Sequence, residues 1–243
     1  MSLHIIILSP VMPIWDRGAF CSSFTELCLA RGFQITLLDT LSLFPSHSAF
    51  CHNSTGEILP FITEKLKKSF KEPSVLVGFS MAGMLVQILA ARLPNVRAVL
   101  AVNAPGYPDK PLQRQIGYIL TFLKEGDLSG ALERLNSVIC SRGGRKKRVL
   151  WQISDEQRSM AIERMIRGFT LLLGMDARGE IIKYTGKFLA LIGERSQLAT
   201  IANQTRSQCL NHEYKIISDA GTRLWDENPA MTNAIVNQWI DTL

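Results

Sequence analysis

Ser80 is the residue around which chemistry can be built. It stands inside Val75-Leu76-Val77-Gly78-Phe79-Ser80-Met81-Ala82-Gly83, where an apolar run stops at a glycine-flanked serine and continues in a helical pattern. A serine held at a sharp strand-to-helix corner projects its hydroxyl above the sheet, while the N–H groups behind it open a helix N-terminus. Such a nucleophile elbow brings strand and helix backbones close, so it needs small residues on both sides, here Gly78, Ala82 and Gly83. Ala82 takes the place of the second glycine of the G-x-S-x-G pattern. The chemistry of the arrangement is attack on, or polarisation of, an acyl carbonyl. A serine hydroxyl ionises far above neutral pH, so attack requires a neighbouring base.

The elements that must position Ser80 follow from the hydrophobic periodicity. Residues 3–8 form a nearly continuous apolar run rich in isoleucine, the pattern of a strand covered on both faces. Residues 19–31 read as a helix with Phe20, Phe24, Leu27 and Cys28 on one face, and residues 33–39 as the next strand, which makes a parallel β-α-β unit. Residues 57–70 read as a second helix with Pro60 in its first turn and Ile58, Phe61, Ile62, Leu66 and Phe70 inward. The elbow strand, a helix over 81–92 and a strand over 96–103 complete four strands separated by three helices. This alternation predicts an open, mostly parallel, doubly wound α/β sheet. Residues 105–184 carry apolar residues at helical spacing and no buried strand, which predicts a helical cap inserted between a first core segment, 1–104, and a second, 185–243. In the second segment the sheet resumes at 187–193 and 213–217 and a helix closes the chain.

With 243 residues the chain suits one domain carrying an insertion. No run is long and apolar enough for a membrane span, and no signal-type N-terminus is visible. Five scattered cysteines without C-x-x-C spacing argue against a disulfide framework or a zinc site and for a reduced, cytoplasmic setting. The net charge of +6 comes from 27 Lys and Arg against 21 Asp and Glu, with a dense basic run at Arg142, Arg145, Lys146, Lys147 and Arg148. No recognition helix or aromatic stacking platform accompanies that run, so nucleic acid is not the expected partner. The run reads either as a solvated loop or as a patch for an acidic partner.

Several landmarks occur in a familiar order. Leu38-Asp39 with Pro45-Ser46-His47-Ser48 resembles an L-D…P-G-H-G loop, and Ser80 sits in a segment like G-H-S-M-G-G. Leu191-Ile192-Gly193-Glu194-Arg195-Ser196-Gln197-Leu198 resembles I-x-G-E-x-D-x-L, and Asp219-Ala220-Gly221-Thr222 with Glu227-Asn228-Pro229 resembles G-A-G-H…E-N-P. On these residues the chain resembles the α/β-hydrolase superfamily over nearly its whole length, in particular capped bacterial esterases of the pimeloyl-carrier-protein methyl esterase type. The resemblance implies an α/β-hydrolase fold. It also places Ser196 where the family has its acid and Thr222 where it has its histidine base. Neither residue supplies the chemistry of the one it replaces, because a threonine cannot take a proton near neutral pH and a serine carries no negative charge to stabilise an imidazolium.

Other residues are weighed as substitutes. His212 precedes the last strand, at the opposite end of a parallel sheet from Ser80, and His4 lies in the first strand. His47 matches a loop-packing position, which leaves His52, in the same long loop, as the candidate rescue base. Asp219, Asp226 and Glu194 are the nearby carboxylates. The family's oxyanion loop carries His-Gly where this chain has Ser9-Pro10, so the donors become the backbone N–H groups of Val11 or Met12 and of Met81. Met12, Trp15 and Phe79 are the expected substrate-binding side chains. Three readings stay open: non-hydrolytic chemistry such as cyclisation, elimination or acyl transfer on an apolar acyl or carbonyl substrate; a non-catalytic ligand-binding or scaffold protein; and slow ester or thioester hydrolysis by Ser80 with another base. An acidic acyl carrier protein is the expected partner of the basic run. No metal site, nucleotide loop or flavin fingerprint is visible, so no cofactor is expected.

Overall fold

The six strands of the protein all run parallel. The computed structural model describes residues 3–44, 55–69, 72–140 and 149–243. In chain order the strands are β1 (His4–Leu8), β2 (Gln34–Leu38), β3 (Ser74–Phe79), β4 (Val96–Val102), β5 (Lys187–Gly193) and β6 (His212–Ile217), joined side by side as β2-β1-β3-β4-β5-β6. The helices are α1 (Ser22–Leu29), α2 (Thr55–Ser69), α3 (Met81–Leu89), α4 (Lys110–Lys124), α5 (Leu128–Ile139), α6 (Asp155–Gly174), α7 (Arg178–Ile181), α8 (Leu224–Glu227) and α9 (Pro229–Ile240). This is the α/β-hydrolase fold, and no described helix is long and apolar enough to cross a membrane.

The continuous apolar runs arise because both faces of the sheet are covered. Successive side chains of a strand point to opposite faces. Ile5, Ile7, Val75 and Val77 pack with Phe24 and Cys28 of α1 and Val236 and Trp239 of α9. Ile6, Leu8 and Leu76 face the other way, into a core shared with α2, α3 and the helices that follow β4. Those helices, α4 to α7, lie in sequence between β4 and β5, in the stretch expected to be helical. Asp109 caps α4 by accepting from the Leu112 N–H at 3.0 Å, and Asp127 caps α5 through the Gly130 N–H at 2.9 Å. Each such cap contributes about 1 kcal/mol. Ser154 and Gln157 close a capping box at the start of α6.

Three local expectations are corrected. The helix expected over 19–31 is a 3-10 turn, Ala19–Cys21, followed by α1, because the turn is held by side-chain and backbone contacts back to Asp16. Pro60 falls in the second turn of α2, since the helix begins at Thr55. Its ring removes one internal hydrogen bond there. Phe61, expected inward, is 45% exposed, whereas Ile58, Ile62 and Leu66 are buried.

The helices between β4 and β5 are tied to the core by a charged clamp. Arg164 of α6 donates through both terminal nitrogens to the two oxygens of Asp39, each at 2.9 Å, just beyond β2. Both side chains are largely buried, so removing one partner strands the other charge. Arg164→Met is therefore expected to destabilise the protein by about 3 kcal/mol, and adding Asp39→Asn to recover part of that loss. Chemical denaturation of the two variants beside the parent protein measures both effects.

Candidate functional site

Ser80 forms a strained corner between β3 and α3. Its φ of 53° and ψ of −119° lie in a region that side-chain-bearing residues seldom adopt, at a cost of about 1–3 kcal/mol. The corner is held by its own backbone. The Ser80 N–H donates to the Val102 carbonyl at 2.9 Å, and the Gly83 N–H donates to the Ser80 carbonyl at 2.9 Å. Glycine is required on both flanks. A methyl group on Gly78 would collide with the Ala82 carbonyl, and one on Gly83 would meet Ala104 and the Gly78 carbonyl. Ala82 is fully buried and its methyl is accommodated, which explains why the second glycine of the usual pattern is dispensable here.

The loop after β1 approaches the elbow from the neighbouring strand. Ser9 fastens it to the end of β2: the Ser9 N–H donates to Leu38 O at 3.0 Å, the Thr40 N–H to Ser9 Oγ at 3.0 Å, and the Thr40 hydroxyl to Ser9 O at 2.7 Å. Pro10, Val11 and Met12 then run along a cavity of about 680 Å³ that Ser80 and Met81 also line. Val11 is pinned from above by α6, where a methyl on Gly168 would lie 2.6 Å from a Val11 methyl. Among the described residues, no acceptor takes the N–H of Met81, Val11 or Met12. Leu112, Ile116, Leu135, Ile139, Phe169 and Leu172, from α4, α5 and α6, form the apolar wall.

The remaining expected residues are distributed unevenly around this cavity. Met12 and Phe79 line it. Trp15 does not. Its ring packs on Phe20 at 6.2 Å between centroids, and Phe20 in turn meets Phe79 edge-on at 5.1 Å, so Trp15 backs the wall from outside. Thr222, in the loop after β6, lines the cavity with a buried hydroxyl that has no hydrogen-bond partner among the described residues. Ser196 stands behind the lining, where its hydroxyl accepts from Asn103 Nδ2 at 3.1 Å. His47, His52 and the basic residues Arg142, Arg145, Lys146, Lys147 and Arg148 lie outside the described residues.

The two described histidines sit at the far end of the sheet from Ser80. His4 begins β1 and bonds Thr36 Oγ1 at 2.8 Å, and His212 begins β6, opposite Phe188. Burial holds His212 below the usual imidazole range. The carboxylates weighed as bases are occupied at the surface: Asp219 pairs with Arg195, Glu194 accepts the Asp219 N–H at 3.0 Å, and Asp226 pairs with Arg223 at 2.7 Å.

Two polar residues of the site escaped the sequence reading. Asn103, at the end of β4, is buried with a φ of 43°. Its N–H donates to Leu191 O at 2.7 Å, its Oδ1 accepts the Gly193 N–H at 2.9 Å, and its Nδ2 reaches Ser196, so it laces β4 to the end of β5. An asparagine at the end of a strand is the one available signal, since Asn tolerates positive φ better than most residues. Asp16 lines the cavity half-buried, with its oxygens on the N–H groups of Gly18, at 3.0 Å, and Phe20, at 2.9 Å. Burial raises its pKa above the ordinary carboxylate range despite those donors.

The comparisons with known proteins agree with this architecture. The chain is 26% identical over 202 residues, 79% of its length and 78% of the relative's, to a pimeloyl-[acyl-carrier protein] methyl ester esterase from Xanthomonas axonopodis pv. citri. It is 28% identical over 183 residues, 72% of its length and 69% of the relative's, to the protein of the same name from Stenotrophomonas maltophilia. No family model matches. Among solved structures, a bromoperoxidase from Bacillus anthracis superposes with a TM-score of 0.73 at 13% identity, covering 99% of this chain and 92% of that one. An α/β-hydrolase enzyme from a Medee basin deep-sea metagenome library, MGS-M2, superposes with a TM-score of 0.74 at 14% identity, covering 99% and 90%.

The cavity also holds a thiol, and its chemistry can be tested directly. Cys21 lines the cavity, Cys28 lies on the buried face of α1, and burial pushes both thiols up to about 12. At pH 8 the reactive thiolate is then a minute fraction of either residue, so Cys21 offers no substitute nucleophile. Iodoacetamide at pH 8 is expected to leave Cys21 and Cys28 unmodified in the native protein and to alkylate both after unfolding in urea, as read by peptide mass mapping.

Proposed function

We propose that this protein holds an apolar acyl or carbonyl ligand between the sheet and a cap formed by α4 to α7, with its polar end at the Ser80 elbow, and does not turn it over by Ser-His-Asp hydrolysis. The observation that carries this reading is Thr222. The residue lines the cavity and its hydroxyl is buried with no partner among the described residues, in the loop after the last strand where a serine hydrolase needs its imidazole. The Ser80 hydroxyl has no partner among the described residues either, so nothing described prepares it for attack. What the elbow retains is the electrostatic half of the apparatus: the Met81 N–H, the opening of α3 and the Val11 or Met12 amide, which can polarise a carbonyl oxygen. On this reading Ser196 and Thr222 mark a triad lost by substitution, and binding, or a reaction that needs only a polarised carbonyl, is what remains.

The names of the curated relatives favour an acyl group delivered on a carrier protein. An acidic carrier would be drawn to the basic run at 142–148, in a chain of net charge +6. The scattered cysteines, without C-x-x-C spacing, favour a reducing, cytoplasmic setting for such a partner.

Rebuilding the missing groups tests the central claim. The parent protein is expected to show no hydrolysis of p-nitrophenyl butyrate or octanoyl thioester above a Ser80→Ala background. The double variant Thr222→His, Ser196→Asp is expected to gain ester hydrolysis at least tenfold above that background, and to lose it again when Ser80→Ala is added. Ser80-dependent turnover by the parent protein overturns the reading, and His52→Ala would then show whether His52 is the base. For the partner, Arg145→Glu with Lys147→Glu is expected to weaken binding of an acidic acyl carrier protein about tenfold, and raising the salt from 50 to 300 mM to weaken binding by the parent protein in the same direction. Unchanged binding in both measurements removes the basic run from the interface.

A further inference from the structure

We infer that the acyl group held in this cavity carries an aromatic ring a few bonds from its carbonyl, seated against Phe20, Phe79 and Trp225; the inference rests on the non-hydrolytic reading above and names its ligand class. The cavity joins two apolar regions that the sheet otherwise separates. Leu112, Ile116, Leu135 and Leu172 belong to the core on one face, whereas Phe24 and Phe79 belong to the core on the other, with Phe20 and Trp225 packed against it. The first wall is mostly aliphatic and the second is aromatic. Phe79 is the last residue of β3 and Ser80 follows it directly, so a group attached to a carbonyl at the elbow reaches the Phe79 ring within a few bonds.

The aromatic wall contains a notch. The Phe79 ring meets Phe20 edge-on at 5.1 Å between centroids and Trp225 at 6.1 Å, and Phe24 lies 5.7 Å from Trp225 behind them. No ring contact joins Phe20 to Trp225 among the described residues, so these two stand apart over Phe79. Phe24 and Phe79 are buried, whereas Phe20 and Trp225 are half-buried and line the cavity, which a quartet serving only as core would not require. Aromatic pairs settle at about 4.5–7 Å between centroids, and Phe20 and Trp225 are no further apart than their distances to Phe79 laid end to end, so one ligand ring can meet both. Each is held from outside the cluster: the Phe20 N–H donates to Asp16 Oδ2 at 2.9 Å, and the Trp225 indole N–H donates to Asn233 Oδ1 at 2.9 Å. The indole donor is therefore already used, and Trp225 offers a ligand its π system alone. A wall ordered before the ligand arrives loses little entropy on binding. An aromatic ring has a negative face and a positive edge, which a second ring complements and a saturated ring of the same size does not. That difference separates an aryl acyl group from one that is merely apolar.

The N-acetylcysteamine thioesters of 3-phenylpropanoate, 3-cyclohexylpropanoate and nonanoate separate ring character from apolar bulk. The three have the same number of acyl carbons and the same carrier-like thioester, and calorimetry measures the binding of each. The phenyl compound is expected to bind about fivefold tighter than the cyclohexyl and nonanoyl compounds. Trp225→Leu, which keeps an apolar side chain and removes the ring, is expected to weaken the phenyl compound about fivefold and to leave the nonanoyl compound within twofold. Phe20→Leu has the same expected pattern and serves should Trp225→Leu fail to fold. Equal affinity of the parent protein for the phenyl and cyclohexyl compounds overturns the aromatic assignment and leaves the apolar acyl reading in place. Binding of none of the three overturns the assignment as well, with the triad-rebuilding assay judging the broader reading independently. Thiol release from the phenyl compound that Ser80→Ala abolishes overturns the non-hydrolytic reading instead, and the aromatic assignment then stands or falls on the same three affinities measured in Ser80→Ala.

Discussion

The site depends on two backbones touching. Strand β3 and helix α3 approach so closely that Gly78 and Gly83 have no room for a methyl group, and that approach is what forces Ser80 into a positive φ. The strain is sustained because both of the serine's backbone groups are engaged, its N–H by β4 and its carbonyl by the first turn of α3. A corner built this way aims one hydroxyl and one amide at the space above the sheet whatever chemistry is done there. Geometry of this kind is carried by packing, and it persists when the groups that once used it change. That is why an intact elbow, taken alone, says where a ligand meets the protein and not what happens to it.

The chemistry is decided by what surrounds the corner. Around Ser80 the carboxylates and guanidinium at the cavity rim have found partners, while the hydroxyls of Ser80 and Thr222 have none among the described residues. In a low-dielectric cavity such an imbalance is significant, since an unsatisfied polar group costs about 1–3 kcal/mol until something bonds it. A ligand that satisfies those donors recovers that cost on binding. A ligand cannot supply a base, and none of the described histidines is at that end of the sheet.

Much of this was legible in the chain itself, for a specific reason. Strands buried on both faces announce themselves as unbroken apolar runs, so β1, β3, β4 and β5 could be read almost to the residue, and the alternation with helices fixed the parallel order. Ser80 and Met81 stand out in the sequence because the elbow motif is local, and Thr222 because a short segment around it resembles the family's. What escaped depends on contacts distant in sequence. Asn103 acquires its role only when β5 arrives from some ninety residues away, as its bonds to Gly193 and Ser196 show. Asp16 looked like a loop residue because the cavity that half-buries it is closed by helices more than a hundred positions later. Trp15 sits in the loop beside the site in sequence, yet an aromatic ring serves equally as backing for Phe20 and Phe79, and sequence position cannot distinguish the two. Pro60 falls in the second turn because the helix starts at Thr55, two residues before the start its periodicity suggests.

The helices between β4 and β5 are coupled mechanically to the sheet at the site. Arg164 grips Asp39 at the end of β2, and the same helix presses Gly168 against Val11, one of the candidate oxyanion donors. Displacing α6 would therefore move both the ceiling of the cavity and the amide that faces its polar end. On the proposed reading, the contacts of Phe169 and Leu172 with a ligand's tail and the Val11 amide at its head would be coupled through that helix. A ligand chain long enough to push α6 outward would then also loosen Val11, because Gly168 packs directly against it.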